Sequence, residues 1–192
     1  GLSETQQTLV LNGLRGQVTL QVDGQLKTGR DVILMALMGA EEYGFATSAL
    51  IVLGCVMMRK CHQNTCPVGV ATQNEELRKR FRGRSEYLIN FFTFLAQEVR
   101  EHLAEMGFTR MDDIIGRTDL IERKPKEDDP NPKHALIDFS RMLARIDNSA
   151  AIRHVIDQEH GISTVKDVAI IDAAQEAIEH EKEVSLEYTI AN

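Results

Sequence analysis

No run of apolar residues approaches the roughly 18 to 20 needed to cross a bilayer. Nor does the chain open with a charged region followed by an apolar secretion segment. These absences argue against a membrane partner and predict a soluble, globular chain of the cytoplasm. A surplus of basic residues is missing as well: 22 Lys and Arg stand against 29 Asp and Glu, a formal net charge of −7. Without a global attraction for polyanions, nucleic acid is not an expected partner either. Cysteine is scarce, with three residues in 192, and an odd set crowded into one stretch speaks against a disulfide scaffold. Internal repeats and low-complexity tracts are absent. What is present is 43% hydrophobic residues, enough to build the core of one ordinary domain.

Apolar spacing predicts a helix from about Thr5 to Leu14, carried by Leu9, Val10 and Leu14 and closed by Gly16. Val18 to Val22 alternates as a strand and runs into the polar loop Asp23-Gly24 to Gly29-Arg30. Asp31 to Gly39 reads as a helix that is apolar on most faces and therefore buried against a sheet. Tyr43 to Thr47 supplies a second short apolar piece, and Ser48 to Leu53 starts another helix. This order fits a parallel βα architecture with right-handed crossovers. Asn74 can cap a helix to about Arg82, and Ser85 a longer one to Met106, spanning about 33 Å. On the longer helix Leu88, Phe91, Phe92, Leu95, Val99 and Leu103 recur at three- and four-residue steps, a stripe that reads as core packing. Glu122 to His134 holds three of the four prolines and many charges, which marks a linker. Helical signals return at Ala135 to Ile146, Ala150 to Glu159 and Val168 to His180, followed by a strand at Val184 to Ile190. The expected divisions are 1–73, 74–121, 122–134 and 135–192, the last a helical connector.

Cys55, Cys61 and Cys66 form the pattern Cys-x5-Cys-x4-Cys-Pro. Six residues along a continuous helix rotate a side chain by about 240°, so Cys55 and Cys61 cannot share a helical face and the chain must turn between them. Cys55 ends the helix begun near Ser48; Cys61 and Cys66 then lie on a loop folded back over it, where Pro67 stops helical continuation. Converging thiolates carry negative charge that Arg59 and Lys60 can offset. A three-cysteine set suits an iron–sulfur cluster lacking one iron, [3Fe–4S]. Structural zinc with Cys61 and His62 is an alternative, although adjacent ligands converge poorly, and merely buried or free cysteines are another. Separately, the loops 23–30 and 44–47 each connect a strand to a helix start. Unpaired amides at such ends attract phosphate, and two successive βα loops form the usual phosphate site at the last two strands of a TIM barrel. A whole barrel needs about 250 residues, and only two βα units precede the cysteines. The chain is therefore expected to be part of something larger.

The strings VDGQLKTGRDV, GAEEYGFAT, LGC and MMRKCHQNTCPVGVATQ, within Leu9 to Gln73, strongly resemble the glutamate synthase large-subunit family. That resemblance implies an α/β fold: the last two βα units of a TIM-type (β/α)8 barrel in 1–73, then a mainly helical extension. It implies FMN held around its phosphate by Asp23, Gly24, Gly29, Arg30, Gly44, Phe45, Ala46 and Thr47, and a [3Fe–4S] cluster on Cys55, Cys61 and Cys66. The implied reaction reduces 2-iminoglutarate, formed from 2-oxoglutarate and glutamine-derived ammonia, to L-glutamate. Electrons would come from an NAD(P)H-oxidising small subunit or from ferredoxin. The glutaminase nucleophile, the first six barrel strands and the C-terminal β-helix have no counterpart in these residues. The chain by itself is therefore expected to be inactive and to carry no catalytic residue. Glu41 and Glu42 read as surface or structural acids.

Overall fold

A computed structural model describes residues 1–123, 131, 133–146 and 150–189. It divides into two compact units, Gly1–Ile156 and the residues from Asp157 onward. The first unit opens with α1 (Leu2–Leu11), earlier than the apolar spacing suggests. Gly1 takes the N-cap position, and Gly13 at φ +68° ends the helix in the left-handed conformation that glycine adopts without strain. Residues Arg15–Gln17 turn as a short 3-10 segment, which delays the first strand. That strand, β1 (Gln21–Asp23), pairs in parallel with β2 (Glu42–Gly44), in the register Gln21 to Glu42, Val22 to Tyr43 and Asp23 to Gly44.

The crossover between the strands is α2 (Gly29–Leu37). Its start is a capping box: the Thr28 hydroxyl accepts from the Asp31 amide at 3.1 Å, and the Asp31 carboxylate accepts from the amides of Thr28 at 3.0 Å and Lys27 at 2.9 Å. The apolar face of α2 packs chiefly on the long helix α5 (Ser85–Glu105), with Tyr43 of β2 the sheet's share of the contact, where burial against the sheet was anticipated. Two strands of three residues present too little surface to cover such a helix. Ile33, Ala36 and Leu37 therefore meet Leu103, Ile114 and Ile115 in the main core, with Tyr43, Val99, Met106 and Phe108 packed around it. Each buried Ile or Leu there contributes about 2 kcal/mol by leaving water. The rest of the predicted stripe on α5, Leu88, Phe91, Phe92, Leu95 and Val99, is half-buried on the same side, while Tyr87, Ile89 and Phe94 are exposed.

Between α2 and α5 lie α3 (Thr47–Val52) and α4 (Glu75–Arg78). Asn74 caps α4 through a 3.1 Å bond from the Leu77 amide, but the helix stops well short of Arg82. In the tail, α6 (Ser140–Leu143) is the only α-helix among the described residues of 135–146. The helix expected at 150–159 is replaced by an extended strap. Gln6 Nε2 donates to the Ile152 carbonyl at 2.8 Å, and the amides of Val155 and Ile156 both donate to the Gly16 carbonyl at 2.9 Å. Those backbone groups are satisfied by the rest of the unit, so they need no helix. The second unit contains α7 (Lys166–Ala173) and α8 (Gln175–His180), broken at Ala174 where one helix was expected. Described residues 184–189 form no strand, as they have no strand to pair with; Ile190 lies outside the described residues, as do 124–130 and 132 of the anticipated linker. The fold is thus α/β, mostly helical with one small parallel sheet, and the described residues do not assemble a barrel. No described helix is long and apolar enough to cross a membrane.

Candidate functional site

At the C-terminal ends of β1 and β2 the two connecting loops enclose a solvent-open concavity of about 690 Å³ lined by Asp23, Gly24, Gln25, Leu26, Gly44, Phe45, Ala46 and Thr47. Parallel pairing brings this about, because parallel strands place both following loops at one edge. The backbone between the loops is tight. A Cβ on Gly44 would lie 2.9 Å from the Cβ of Asp23, closer than carbon atoms can approach. Gly24 sits at φ +101°. The buried Ser48 hydroxyl, in the first turn of α3, donates to the Leu26 carbonyl at 2.9 Å and ties the second loop to the first. Phe45 meets Phe92 of α5 edge to face at 5.2 Å between ring centres. Six of the eight residues expected around a phosphate thus line one concavity.

The other two do not. The Gly29 amide donates to Glu98 Oε2 of α5 at 2.7 Å, and a Cβ on Gly29 would stand 2.7 Å from the Val99 nitrogen. Arg30 is exposed and faces a separate groove with His102 and Glu105. The first helix start therefore already holds two carboxylates of the chain, Asp31 and Glu98. Burial raises the Asp31 carboxyl, but the amides of Lys27 and Thr28, the Thr28 hydroxyl and the Arg30 charge outweigh it and leave the pKa below the ordinary value. Nothing in the local sequence links Glu98 to a glycine 69 positions away; only helix packing does.

The cysteines come next along the chain. α3 ends at Gly54, φ +96°, and the Cys55 amide closes the end by donating to the Leu50 carbonyl at 2.9 Å. Cys55 is half-buried, Cys61 exposed and Cys66 buried. All three border one shallow recess, together with Val56 to Lys60, Pro67 and Val68. Met57 at φ +57° and Arg59 at φ +56° hold left-handed backbone conformations that cost a non-glycine residue about 1 to 2 kcal/mol each. By contrast the turn after Asn64 is braced. The Asn64 carboxamide oxygen accepts from Thr72 Oγ1 at 2.8 Å and the Gln73 amide at 2.6 Å. Gly69, φ +78°, lies so close to α4 that a Cβ would stand 2.3 Å from the Leu77 carbonyl oxygen. Within that turn the amide of Ala71 chiefly, and those of Val68, Val70 and Gly69, stabilise the Cys66 thiolate and hold its pKa below the ordinary thiol value against the opposing effect of burial. Three thiols on one recess, one of them with a lowered pKa, are a donor set of the kind that binds a soft metal or an iron–sulfur cluster. Among the described residues no three Cys, His, Asp or Glu side chains stand close enough to share one ion.

Behind the loops lies a network that no motif announces. Arg15 is fully buried, and its guanidinium donates to Glu41, Gln6, the Val18 carbonyl and, at 3.0 Å, the Gly39 carbonyl. Glu41 also accepts from the Leu20 amide at 3.3 Å and the His154 amide at 2.7 Å. It is the structural acid anticipated at that position, joining the edge of the sheet to the strap. Burial first, and then the Glu41 charge, push the Tyr43 phenol far above its ordinary pKa.

A family profile described as "Conserved region in glutamate synthase" matches residues 1–109. The chain is 48% identical over 196 residues to the glutamate synthase [NADPH] large chain of Bacillus subtilis, covering 100% of this chain and 12% of that protein. It is 50% identical over 198 residues to the chloroplastic ferredoxin-dependent glutamate synthase of Spinacia oleracea, again covering 100% of this chain and 12% of the relative. With the glutamate synthase [NADH] of Schizosaccharomyces pombe the identity is 48% over 183 residues, 93% of this chain and 8% of that protein. The chain thus spans about a tenth of the length of these relatives.

Proposed function

This chain belongs to the glutamate synthase family, and on that premise we propose that it is the part of a large subunit that holds the phosphate end of FMN and an iron–sulfur cluster. Its two βα loops would be the last two of a TIM-type barrel whose other strands lie in the remainder of the large subunit. The observation that carries the reading is local: the concavity at loops 23–26 and 44–47 and the three-cysteine recess sit at opposite ends of one short helix, α3.

In this reading Asp23, Gly24, Gly44, Phe45, Ala46 and Thr47 surround the phosphate, largely through backbone amides. Gly29 and Arg30 take part only if Glu98 gives way or the groove beside Arg30 is reached by another part of the ligand. Cys55, Cys61 and Cys66 are the cluster ligands, and the Cys66 amide cradle stabilises the thiolate that ligation requires. Arg59 and Lys60, beside the recess, offset the charge of the thiolates. When bound, the flavin supplies hydride transfer to 2-iminoglutarate, with the [3Fe–4S] cluster passing it single electrons. These residues bind and orient the cofactors; none is assigned to proton transfer or substrate binding, so the 192 residues by themselves do not form glutamate.

The whole enzyme would be an oxidoreductase acting on a CH–NH2 group, using 2-oxoglutarate and glutamine in the cytoplasm. Its electrons would come from a pyridine-nucleotide-oxidising subunit or ferredoxin. Anaerobic purification of the full-length polypeptide, with iron, acid-labile sulfide and flavin analysis, tests the reading. Close to three irons and four sulfides per chain, with FMN, are expected; a colourless protein carrying zinc, and taking up no iron on reconstitution, would overturn it.

A further inference from the structure

We infer that the cysteine site closes in stages: Cys66 is a pre-built anchor, and Cys61 is the last ligand to arrive, carried on a moving arm of residues 56–63. The inference rests on the cluster reading above but concerns only how the chain prepares for it. The three thiols border one recess, yet they do not converge on one point among the described residues. At least one must therefore move for a shared ion or cluster to bind.

The surroundings of each thiol say which. Cys66 is buried, on a turn fastened at both ends, by the Asn64 carboxamide to Thr72 and Gln73 and by the close seat of Gly69 on α4. Moving it means undoing those contacts. Cys55 follows directly on α3 and is held by its amide bond to Leu50. Cys61 is exposed on the 3-10 turn Cys61–Gln63. The hydrogen bonds recorded for the described arm are short-range: Met57 amide to Cys55 Sγ, Gln63 amide to the Lys60 carbonyl and Asn64 amide to the Cys61 carbonyl. The arm leads from Gly54 at φ +96°, which tolerates large backbone rotation, to the fastened Asn64, and contains two residues that do not favour their present state, Met57 and Arg59. Rotation of the arm relieves strained positions and leaves the braced turn untouched.

The test uses full-length, cofactor-free protein handled anaerobically. A brief iodoacetamide pulse read by mass spectrometry should label Cys61 at least tenfold faster than Cys66, with Cys55 between them. Hydrogen–deuterium exchange before and after loading with ferrous iron and sulfide should show new protection at 56–63 and unchanged, already high protection at 66–72. Cys61→Ser should abolish the new protection at 56–63 while leaving that at 66–72 intact. Equal labelling of the three thiols, or protection gained mainly at 66–72 on loading, overturns the inference while the cluster reading stands. Failure of the unmutated protein to take up iron overturns the cluster reading and this inference together.

Discussion

The two candidate sites differ in how far the protein alone completes them. The concavity over β1 and β2 is locked by contacts its loops make with each other and with the helices around them: Ser48 on the Leu26 carbonyl, Phe45 on Phe92 of α5, and the glycine at position 44 against Asp23. The cysteine recess is finished on one side, around Cys66, and open on the other, around Cys61. A site that meets its ligand mainly through backbone amides can be assembled by packing. One that gathers thiolates is opposed by their mutual repulsion until a cation neutralises them.

Substitutions can break this contrast or sharpen it. The largest effect is expected beneath the strands: Arg15→Met leaves Glu41 without its buried partner and should cost about 3 to 5 kcal/mol in urea unfolding. Adding Glu41→Gln to it should then cost little more, since the two share one interaction. Next comes the braced side of the recess. Gly69→Ala puts a methyl on the Leu77 carbonyl and a Cβ on a left-handed backbone, with an expected loss of about 3 kcal/mol. Gly54→Ala, where open space surrounds the position, should lose about 1 kcal/mol from conformation alone; equal losses at 69 and 54 would mean the turn is not braced by α4. Ser48→Ala leaves the Leu26 carbonyl unpaired and should cost about 1 to 2 kcal/mol. It should also weaken FMN binding by the full-length chain more than riboflavin binding, because riboflavin has no phosphate to lose.

The smallest effect is a matter of pH. The Asp31 carboxyl titrates below its ordinary value in the folded chain. Its contribution is therefore fully present above the unfolded pKa and lost as pH falls through the lowered folded one, below about pH 4. Asp31→Asn should lower stability by up to about 1 kcal/mol at pH 7, and the difference from the unmutated chain should shrink steadily as pH falls below about 4. A difference that persists there would assign the effect to side-chain shape and not to charge.

Much of this was legible beforehand, and the exceptions have specific causes. The glycines and the strand-to-helix joints at 23–24 and 44–47 mark a loop pair from local chemistry, and the structure places them together. Gly29 and Arg30 carry the same local signal, but an acid from α5 occupies the amide of one while the other faces a different groove. The predicted helix at 150–159 has the composition for it, yet between residues 152 and 156 its backbone bonds to Gly16, Gln6 and Glu41. Long-range partners outcompete a weak helical preference because a packed, satisfied backbone is worth more than propensity differences of a few tenths of a kcal/mol per residue.

The order of residues by itself determined the family and the helix–strand sequence through residue 106, and it marked the glycine loops and the cysteine cluster as candidates, because all of these depend on neighbours a few positions apart. Tertiary structure alone decided that α2 rests on α5, that Glu98 accepts from the Gly29 amide, and that Cys66 is enclosed while Cys61 is not. Those outcomes depend on groups tens of residues apart competing for the same space and the same hydrogen bonds.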